Sequence, residues 1–225
     1  MWFYAGKIFW PREQCFIYPR WDIDPSVWWQ YAFPAAAAAV LVLAWLLRRR
    51  LGRGPLTALL FFAGTLSPAL GFFNVYPMRY SWVADHFQYL AGIGLVVLAC
   101  GWAAALLAKA GAGARRLGAV AGAILLVVLG MLSWRQGHAY ADRETRWRDT
   151  LAKNPDAWIA HNNLAGLLTE SGRYTEAIEH YTEALRLRPE DPDVHANLGL
   201  ALAGTGNLDA AASEYRLALA AEPDS

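Results

Sequence analysis

The sequence predicts an all-α protein: a polytopic membrane helix bundle of about four spans, followed by a short α-solenoid. Two observations lead to this prediction. Residues 30–134 contain few charged side chains, whereas charge collects after residue 135, in a chain that is 56% hydrophobic with a formal net charge of +1. After residue 155 one pattern occurs twice, and every matched pair of residues is 34 positions apart. Uncharged runs predict the bundle, and the fixed period predicts stacked helical units.

The repeated pattern describes two antiparallel helices in each copy. The matched positions are His161, Leu164, Ala165, Leu168, Ala177, Tyr181, Ala184 and Pro189 in the first copy, and His195, Leu198, Gly199, Leu202, Ala211, Tyr215, Ala218 and Pro223 in the second. Spacings of one, three and four residues put the apolar positions on one face of each helix. Gly172 and Gly206 supply the turns between the helices, and the prolines end the second helix of each copy.

This pattern resembles the tetratricopeptide repeat (TPR), whose period is about 34 residues. Trp147 and Pro155 stand one such period before Tyr181 and Pro189 of the first copy, which indicates a further half repeat. We therefore place a partial repeat at 142–155 and full repeats at 156–189 and 190–223, so that the TPR region spans 142–223. An ordinary pair of helical hairpins is the alternative. Because stacked repeats need neighbours to bury their faces, we expect the array to continue in a longer parent protein.

The membrane region is predicted at 29–135. Its spans lie at about 31–47, 55–73, 87–108 and 117–134. Each has roughly 17 to 22 residues, close to the ~20 needed to cross a hydrocarbon core of ~30 Å. The alternative, a set of core helices in a soluble protein, is disfavoured because four uncharged runs follow one another.

The segment 1–28 is aromatic and irregular, with no apolar run long enough to span a bilayer. We interpret it as an extracytoplasmic segment lying at the membrane surface. The first and third connections between spans are short and contain no acidic residue, and their basic residues are Arg48, Arg49, Arg50, Arg53, Lys109, Arg115 and Arg116. The positive-inside rule makes these connections cytoplasmic, which places the N-terminal segment, the 74–86 loop and the TPR region outside the cytoplasm.

The 74–86 loop and the start of the next span contain the most reactive polar groups of the membrane half. Arg79, Asp85, His86 and Tyr89 lie at or just inside the predicted membrane edge, where polar groups are costly unless paired or hydrated. Arg79 is suited to a phosphate, and Asp85 and His86 to acid–base work or to holding a cation. The alternative is that Asp85 pairs with Arg79 and that the other side chains anchor the chain at the interface.

The run from Val83 to Gly94 resembles the membrane-entry motif of the transmembrane- and TPR-containing O-mannosyltransferases. In that group an acidic–basic pair leads into Tyr-Leu-Pro-Ser-x-Gly, whereas here His86 replaces the arginine and Ala91-Gly92 replace Pro-Ser. The resemblance implies a GT-C glycosyltransferase architecture, a lipid-linked sugar phosphate as donor, and acidic catalytic residues in a first extracytoplasmic loop. It identifies no catalytic residue in this chain, and it makes the chain the C-terminal part of such an enzyme.

In the TPR region, the first helix of each repeat offers amide side chains for a partner. Asn163 and Asn197 occupy equivalent positions and Asn162 stands beside them, so their amides are candidates for bonding an extended peptide backbone. The alternative is that these asparagines cap or solvate the helices. His161 and His195 occupy one packing position. Neither the two cysteines nor the histidines have the spacing of a metal site, and we expect no cofactor.

Together these features predict a membrane-anchored TPR protein that mediates protein–protein interaction outside the cytoplasm. The partners expected are a protein or peptide in the TPR groove and a membrane lipid such as a lipid-linked sugar. Nucleic acid is not expected, because the charge is balanced. In a bacterium the location would be the inner or plasma membrane. The alternative function is that of the C-terminal portion of a GT-C-type glycosyltransferase.

Overall fold

The computed structural model describes residues 2–9, 15–19, 24–67 and 88–221, which fall into two units. The first unit comprises 1–14 and 20–135, and the second comprises Cys15–Pro19 together with the chain from Gln136 onwards. Every regular element in the described ranges is a helix. This confirms the all-α fold.

The first unit contains the apolar helices. They are α1 (Trp2–Phe9), a single 3-10 turn at Trp28–Tyr31, α2 (Ala32–Leu51), α3 (Gly54–Leu66), α4 (Gln88–Ala108) and α5 (Ala112–Ala139), of which residues 136–139 belong to the second unit. Three helical stretches, Trp28–Leu51, Tyr89–Ala108 and Ala112–His138, are long and apolar enough to cross a membrane. The described part of α3 is shorter, and residues 68–73 of the predicted second span lie outside the described residues.

Close packing in this unit occurs mainly between α3 and α4. Gly94 allows it, because a Cβ atom there would lie 3.0 Å from the carbonyl oxygen of Ala58. Leu66 and Ala91 are fully buried in this unit. By contrast, the apolar stretches that include α2 and α5 have no buried residue, as expected of helices whose apolar side chains face lipid.

The start of the chain differs from the irregular segment that we expected. Trp2–Phe9 forms helix α1, whose Tyr4 side chain is 1% exposed. The Trp2 indole N–H donates to the carbonyl oxygen of Phe33 at 2.9 Å, which ties α1 to the first turn of α2. A short helix with mixed aromatic and aliphatic side chains gives no strong periodic signal, so α1 depends on these tertiary contacts.

The second unit is a row of antiparallel helices. They are α6 (Arg143–Lys153), α7 (Trp158–Glu170), α8 (Tyr174–Leu187), α9 (Pro192–Gly204) and α10 (Leu208–Ala221). The core contains the apolar positions that the repeat pattern singled out in the first copy, and Leu164, Ala165, Leu168, Ala177, Tyr181 and Ala184 are all at most 2% exposed. The repeat pattern therefore identified the core of the solenoid correctly.

The turns and helix ends follow the predicted signals. Gly172 and Gly206 have φ values of 73° and 84°, in the left-handed region that favours glycine. Helix α8 ends at Leu187, just before Pro189. Pro223, the matching residue of the second repeat, lies outside the described residues.

A short segment from the beginning of the chain belongs to the second unit. Cys15–Pro19 packs on α6: the Phe16 ring meets the Trp147 ring edge-on at 5.3 Å, and the Asn154 amide donates to the carbonyl oxygen of Ile17 at 3.1 Å. Cys15, Ile17 and Tyr18 are 3%, 8% and 7% exposed. The segment thus covers part of α6, the helix to which the sequence assigned a partial repeat.

Candidate functional site: a groove on the tetratricopeptide repeats

The candidate site lies on the side of α7 and α9 that faces away from α8. Helix α8 packs against both, and α7 and α9 also touch each other. The faces turned toward the neighbouring helices carry the buried residues, such as Leu164 on α7 and Leu198 on α9. The opposite faces leave Asn162, Asn163 and Asn197 half-buried. We call this shared face the amide groove.

The structure brings two of the three predicted amides into contact. The Asn197 Nδ2 donates to Asn162 Oδ1 at 3.3 Å, which links the first helices of the two repeats. Asn163 lies next to Asn162 on α7, one helical position away. Ile159 is half-buried on the same helix, and Leu200 on α9 is 55% exposed. Sequence reasoning found the amides but missed these apolar residues, whose exposure depends on how α8 and α9 pack.

The charge of the amide groove is low. The sequences of α7 and α9 contain no lysine or arginine. Their only acidic residues are Glu170, at the end of α7, and Asp193, in the first turn of α9. The groove therefore offers hydrogen-bonding amides and aliphatic surface rather than a cationic cradle for a carboxylate or phosphate.

Two histidines occupy equivalent positions behind the groove. His161 Nε2 lies 3.0 Å from the carbonyl oxygen of Pro155, and His195 Nε2 lies 2.9 Å from that of Pro189. Their Nδ1 atoms face the second helix of the repeat: His161 meets His180 Nδ1 at 2.9 Å, and His195 meets Glu214 Oε2 at 2.7 Å. These bonds tie each histidine to the proline before it and to the helix after it, which gives it a structural role.

The surroundings of the His180 side chain change its pKa. Burial lowers its pKa below the usual value of 6.5, and the neighbouring His161 and Arg148 lower it further. Low pH would add charge where two imidazoles already face each other. The sequence carried a signal for this position, because His180 and Glu214 also stand one repeat period apart, but a single histidine on a helix does not stand out.

A network of ion pairs covers the outer side of α6 and α8. Arg148 bonds Glu144 at 2.8 Å and Glu176 at 2.5 Å, and Arg173 bonds Glu144 at 3.0 Å and also Glu176. The hydrogen bonds from Arg148, and then those from Arg173, hold the pKa of both carboxyl groups below its usual range. Exposed pairs of this kind add little stability individually.

The membrane-edge candidates fall largely outside the described residues. Arg79, Asp85 and His86 lie in the range 68–87, whereas Tyr89 is in the first turn of α4 and is 70% exposed. The buried Cys15 thiol donates to the carbonyl oxygen of Ile17 at 3.0 Å, whereas Cys100 is exposed. Within the described ranges, no group of three or more His, Cys, Asp or Glu side chains is arranged to hold a metal ion.

The second unit matches two profiles of known repeat families. A TPR repeat profile matches residues 166–206, and a tetratricopeptide repeat profile matches 192–225. Together they cover residues 166–225, which include most of the first full repeat and all of the second. This confirms the interpretation of the repeated pattern, and TPR arrays are protein–protein interaction modules.

Similarity to known proteins extends over about half of the chain. The protein O-mannosyl-transferase Tmtc2 of Drosophila melanogaster is 31% identical over 115 residues, which are 51% of this chain and 12% of that relative. The protein O-mannosyl-transferase TMTC1 of Mus musculus is 33% identical over 123 residues, again 12% of the relative, and TMTC1 of Homo sapiens is 33% identical over 76 residues. The matched region thus spans about an eighth of the length of the first two relatives. The chain contains tetratricopeptide repeats within residues 166–225 and apolar helices of membrane-spanning length, and about half of it is similar to protein O-mannosyl-transferases.

Proposed function

We propose that this chain is a multi-pass membrane protein whose TPR unit binds an extended segment of a partner protein, outside the cytoplasm, in the amide groove. The observation that carries the proposal is the contact between Asn162 and Asn197, which joins amides from two repeats into one surface. The membrane helices hold this binding surface at the bilayer.

The chemistry of the groove favours a neutral, extended polypeptide. An asparagine side chain both donates and accepts, so it pairs with the alternating N–H and C=O groups of an extended backbone. Ile159 and Leu200 flank the amides and provide apolar contacts for side chains of the partner. Because α7 and α9 contain no lysine or arginine, an internal segment suits the groove better than a free C-terminal carboxylate.

A peptide-display experiment tests the binding proposal. The full chain in lipid nanodiscs would be panned against a library of random peptides, and the affinity of enriched peptides measured by fluorescence polarisation. We expect the double variant Asn162→Ala/Asn197→Ala to bind these peptides about tenfold or more weakly, since each lost hydrogen bond contributes about 1 kcal/mol. Replacing both residues avoids leaving one amide without its partner.

The matched control is Thr175→Ala, an exposed position on α8, on the second helix of the repeat. It should bind the peptides like the wild type. Equal binding by the double variant would show that the amide groove is not the site. If no peptide is enriched over empty nanodiscs, the binding function itself is contradicted.

Placement outside the cytoplasm is supported by charge and by one contact. Basic residues cluster where α2 ends and α3 begins and where α4 ends and α5 begins, and neither place has an acidic residue, which favours the cytoplasmic side for both. The packing of Cys15–Pro19 on α6 supports a topology in which these residues and the TPR unit lie on the same side of the membrane.

The second candidate function is that of the C-terminal portion of a GT-C-type glycosyltransferase that uses a lipid-linked sugar donor. It is favoured by the homology to proteins named as O-mannosyl-transferases. In that case Arg79, Asp85, His86 and Tyr89 would contribute to lipid-phosphate binding, and the TPR unit would recruit the acceptor protein. An open reading frame upstream of Met1 that encodes further spans and an acidic first loop would support this function, and a promoter and start codon at that place would contradict it.

A further inference from the structure

An apolar groove lies where α3 packs on α4, close to the end of α2. Its volume is about 610 Å³, within the range of small-molecule pockets. Its lining includes Leu51, Pro55, Ala58, Phe61, Val97 and Trp102. Among the described residues of the lining, Thr57 alone carries a hydroxyl, and this group already donates to the carbonyl oxygen of Arg53 at 3.0 Å. This surface suits a hydrocarbon chain.

Glycine residues keep the groove open. Gly54 and Gly101 both line it, and a Cβ atom added at either would meet no atom within 4 Å. Gly94, also in the lining, lets α3 and α4 approach closely enough to form a continuous wall. A larger side chain at Gly101 would therefore begin in open space, since its Cβ atom would contact no neighbouring atom, and would reduce the volume of the groove.

Positive charge is concentrated at one end of the groove. Arg50 and Arg53 flank the lining residues Leu51 and Gly54, and Arg49, Arg50 and Arg53 are all exposed. Arg48 is oriented differently: its guanidinium lies over the Trp45 ring at 4.1 Å and donates to the Trp45 carbonyl at 2.6 Å. The sequence contains no Asp or Glu between Asp24 and Asp85. The negative charge that balances these arginines must therefore come from a group outside residues 25–84, such as a bound anion.

We propose that this groove binds an anionic phospholipid, with one acyl chain between α3 and α4 and the phosphate held by Arg49, Arg50 and Arg53. Two complementary features select this ligand. A free phosphate makes no contact with the apolar groove, and a lipid without net charge gains less from the arginines than an anionic one. The proposal does not depend on the side of the membrane that the arginines face, nor on what the TPR unit binds.

Native mass spectrometry of the full chain in a mild detergent tests the proposal. The probes are phosphatidylglycerol and phosphatidylcholine with identical acyl chains, together with diacylglycerol and glycerol phosphate as the two halves of the ligand. We expect phosphatidylglycerol to bind at least fivefold more tightly than phosphatidylcholine, and neither half alone to bind measurably. Gly101→Leu and the triple variant Arg49→Gln/Arg50→Gln/Arg53→Gln should each remove most of this preference.

Each variant has a matched control. Gly130→Leu adds the same side chain on α5, where a Cβ atom also meets nothing within 4 Å, and Arg115→Gln/Arg116→Gln removes charge from the other basic connection. Both controls should retain the preference. Loss of binding in the controls as well, equal binding of the two phospholipids, or unchanged binding by both test variants would overturn the proposal. Circular dichroism of each variant identifies misfolding. Because the three substituted arginines are exposed, the arginine variant tests the site without changing the packing of α3 on α4.

Discussion

Two equivalent histidines of the TPR unit face different partners. Both use Nε2 toward a proline carbonyl, but Nδ1 of His161 meets the imidazole of His180, whereas Nδ1 of His195 meets the carboxylate of Glu214. Only one proton can occupy the bond between two facing Nδ1 atoms. Acid therefore acts on the first repeat through a contact that the second repeat lacks.

The His180 contact predicts that acid weakens the TPR unit. Burial, His161 and Arg148 hold the folded-state pKa of His180 below 6.5, while Glu176 and Glu179 oppose this more weakly. As pH falls, the unfolded chain takes up a proton at this histidine before the folded chain does, which favours unfolding. The stability that depends on neutral His180 is therefore fully present above pH 6.5 and is lost progressively below it. We expect His180→Gln to reduce the fall in melting temperature between pH 7.5 and 5.5, measured by circular dichroism.

Thr175→Gln, at an exposed position of the same helix as His180, is the control for a substitution on α8 that removes no titratable group. It should leave the pH dependence of melting as it is in the wild type. An unchanged pH dependence in His180→Gln would show that other groups cause the acid sensitivity.

The first helices of the two repeats, α7 and α9, differ at their N-termini although their buried positions follow the same pattern. Asp191 caps α9: its Oδ1 accepts from the Val194 N–H at 3.3 Å, and its other oxygen pairs with Arg188 at 3.2 Å. Ala157 stands at the same position before α7, where no side chain caps the helix. The repeat pattern predicts both helices equally well, but their ends have different local stabilisation.

We expect Asp191→Ala to lower the free energy of unfolding of the TPR unit by about 1–2 kcal/mol, the usual effect of removing an N-cap. The side chain is almost fully buried, so the unpaired Val194 N–H would have little access to water. Urea denaturation followed by circular dichroism in the far ultraviolet provides the measurement. Asp193→Ala, exposed in the first turn of the same helix, should cost much less, and equal losses would contradict a capping role.

For the molecule as a whole, one contact constrains the number of membrane crossings. In the proposed multi-pass topology, the contacts of Phe16 and Ile17 with α6 and the residue that follows it predict an even number of membrane crossings between Pro19 and Asp142. Three helical stretches have the length and composition of a span, and α3 is shorter within the described residues. An even number is reached if α3 belongs to a fourth span, as the sequence predicts for 55–73.

Cysteine labelling tests both the number of crossings and the sidedness. Single cysteines would be placed at Pro19, Gly52, Ala112 and Ser171 in a cysteine-free variant, and intact cells treated with a membrane-impermeant maleimide after any outer membrane is permeabilised. We expect labelling at 19 and 171 and none at 52 and 112, because the first two positions lie outside the cytoplasm in this topology.

The opposite pattern would place the TPR unit in the cytoplasm and contradict the glycosyltransferase alternative. Labelling at 171 without labelling at 19 would indicate an odd number of crossings. That result would contradict the packing of Cys15–Pro19 on α6. Lysed cells, in which all four positions react, provide the control for accessibility.

The sequence alone determined the features that depend on local periodicity. Apolar runs predicted the membrane-spanning helices. The repeat predicted the positions of α7 to α10 and the buried face of α7 and α8, because the direction of side chains along a helix follows from residue spacing. It also predicted the left-handed glycines Gly172 and Gly206, since that backbone conformation is strained for other residues.

Only the tertiary structure decided which distant residues meet. Cys15–Pro19 packs on α6 although Ile17 and Asn154 stand far apart in the sequence, and Asn162 meets Asn197 because α7 and α9 stack at a particular offset. The groove between α3 and α4 likewise depends on how closely Gly94 lets the helices approach. Such contacts carry no periodic signal, since they arise from the packing of whole helices rather than from the order of residues along one of them.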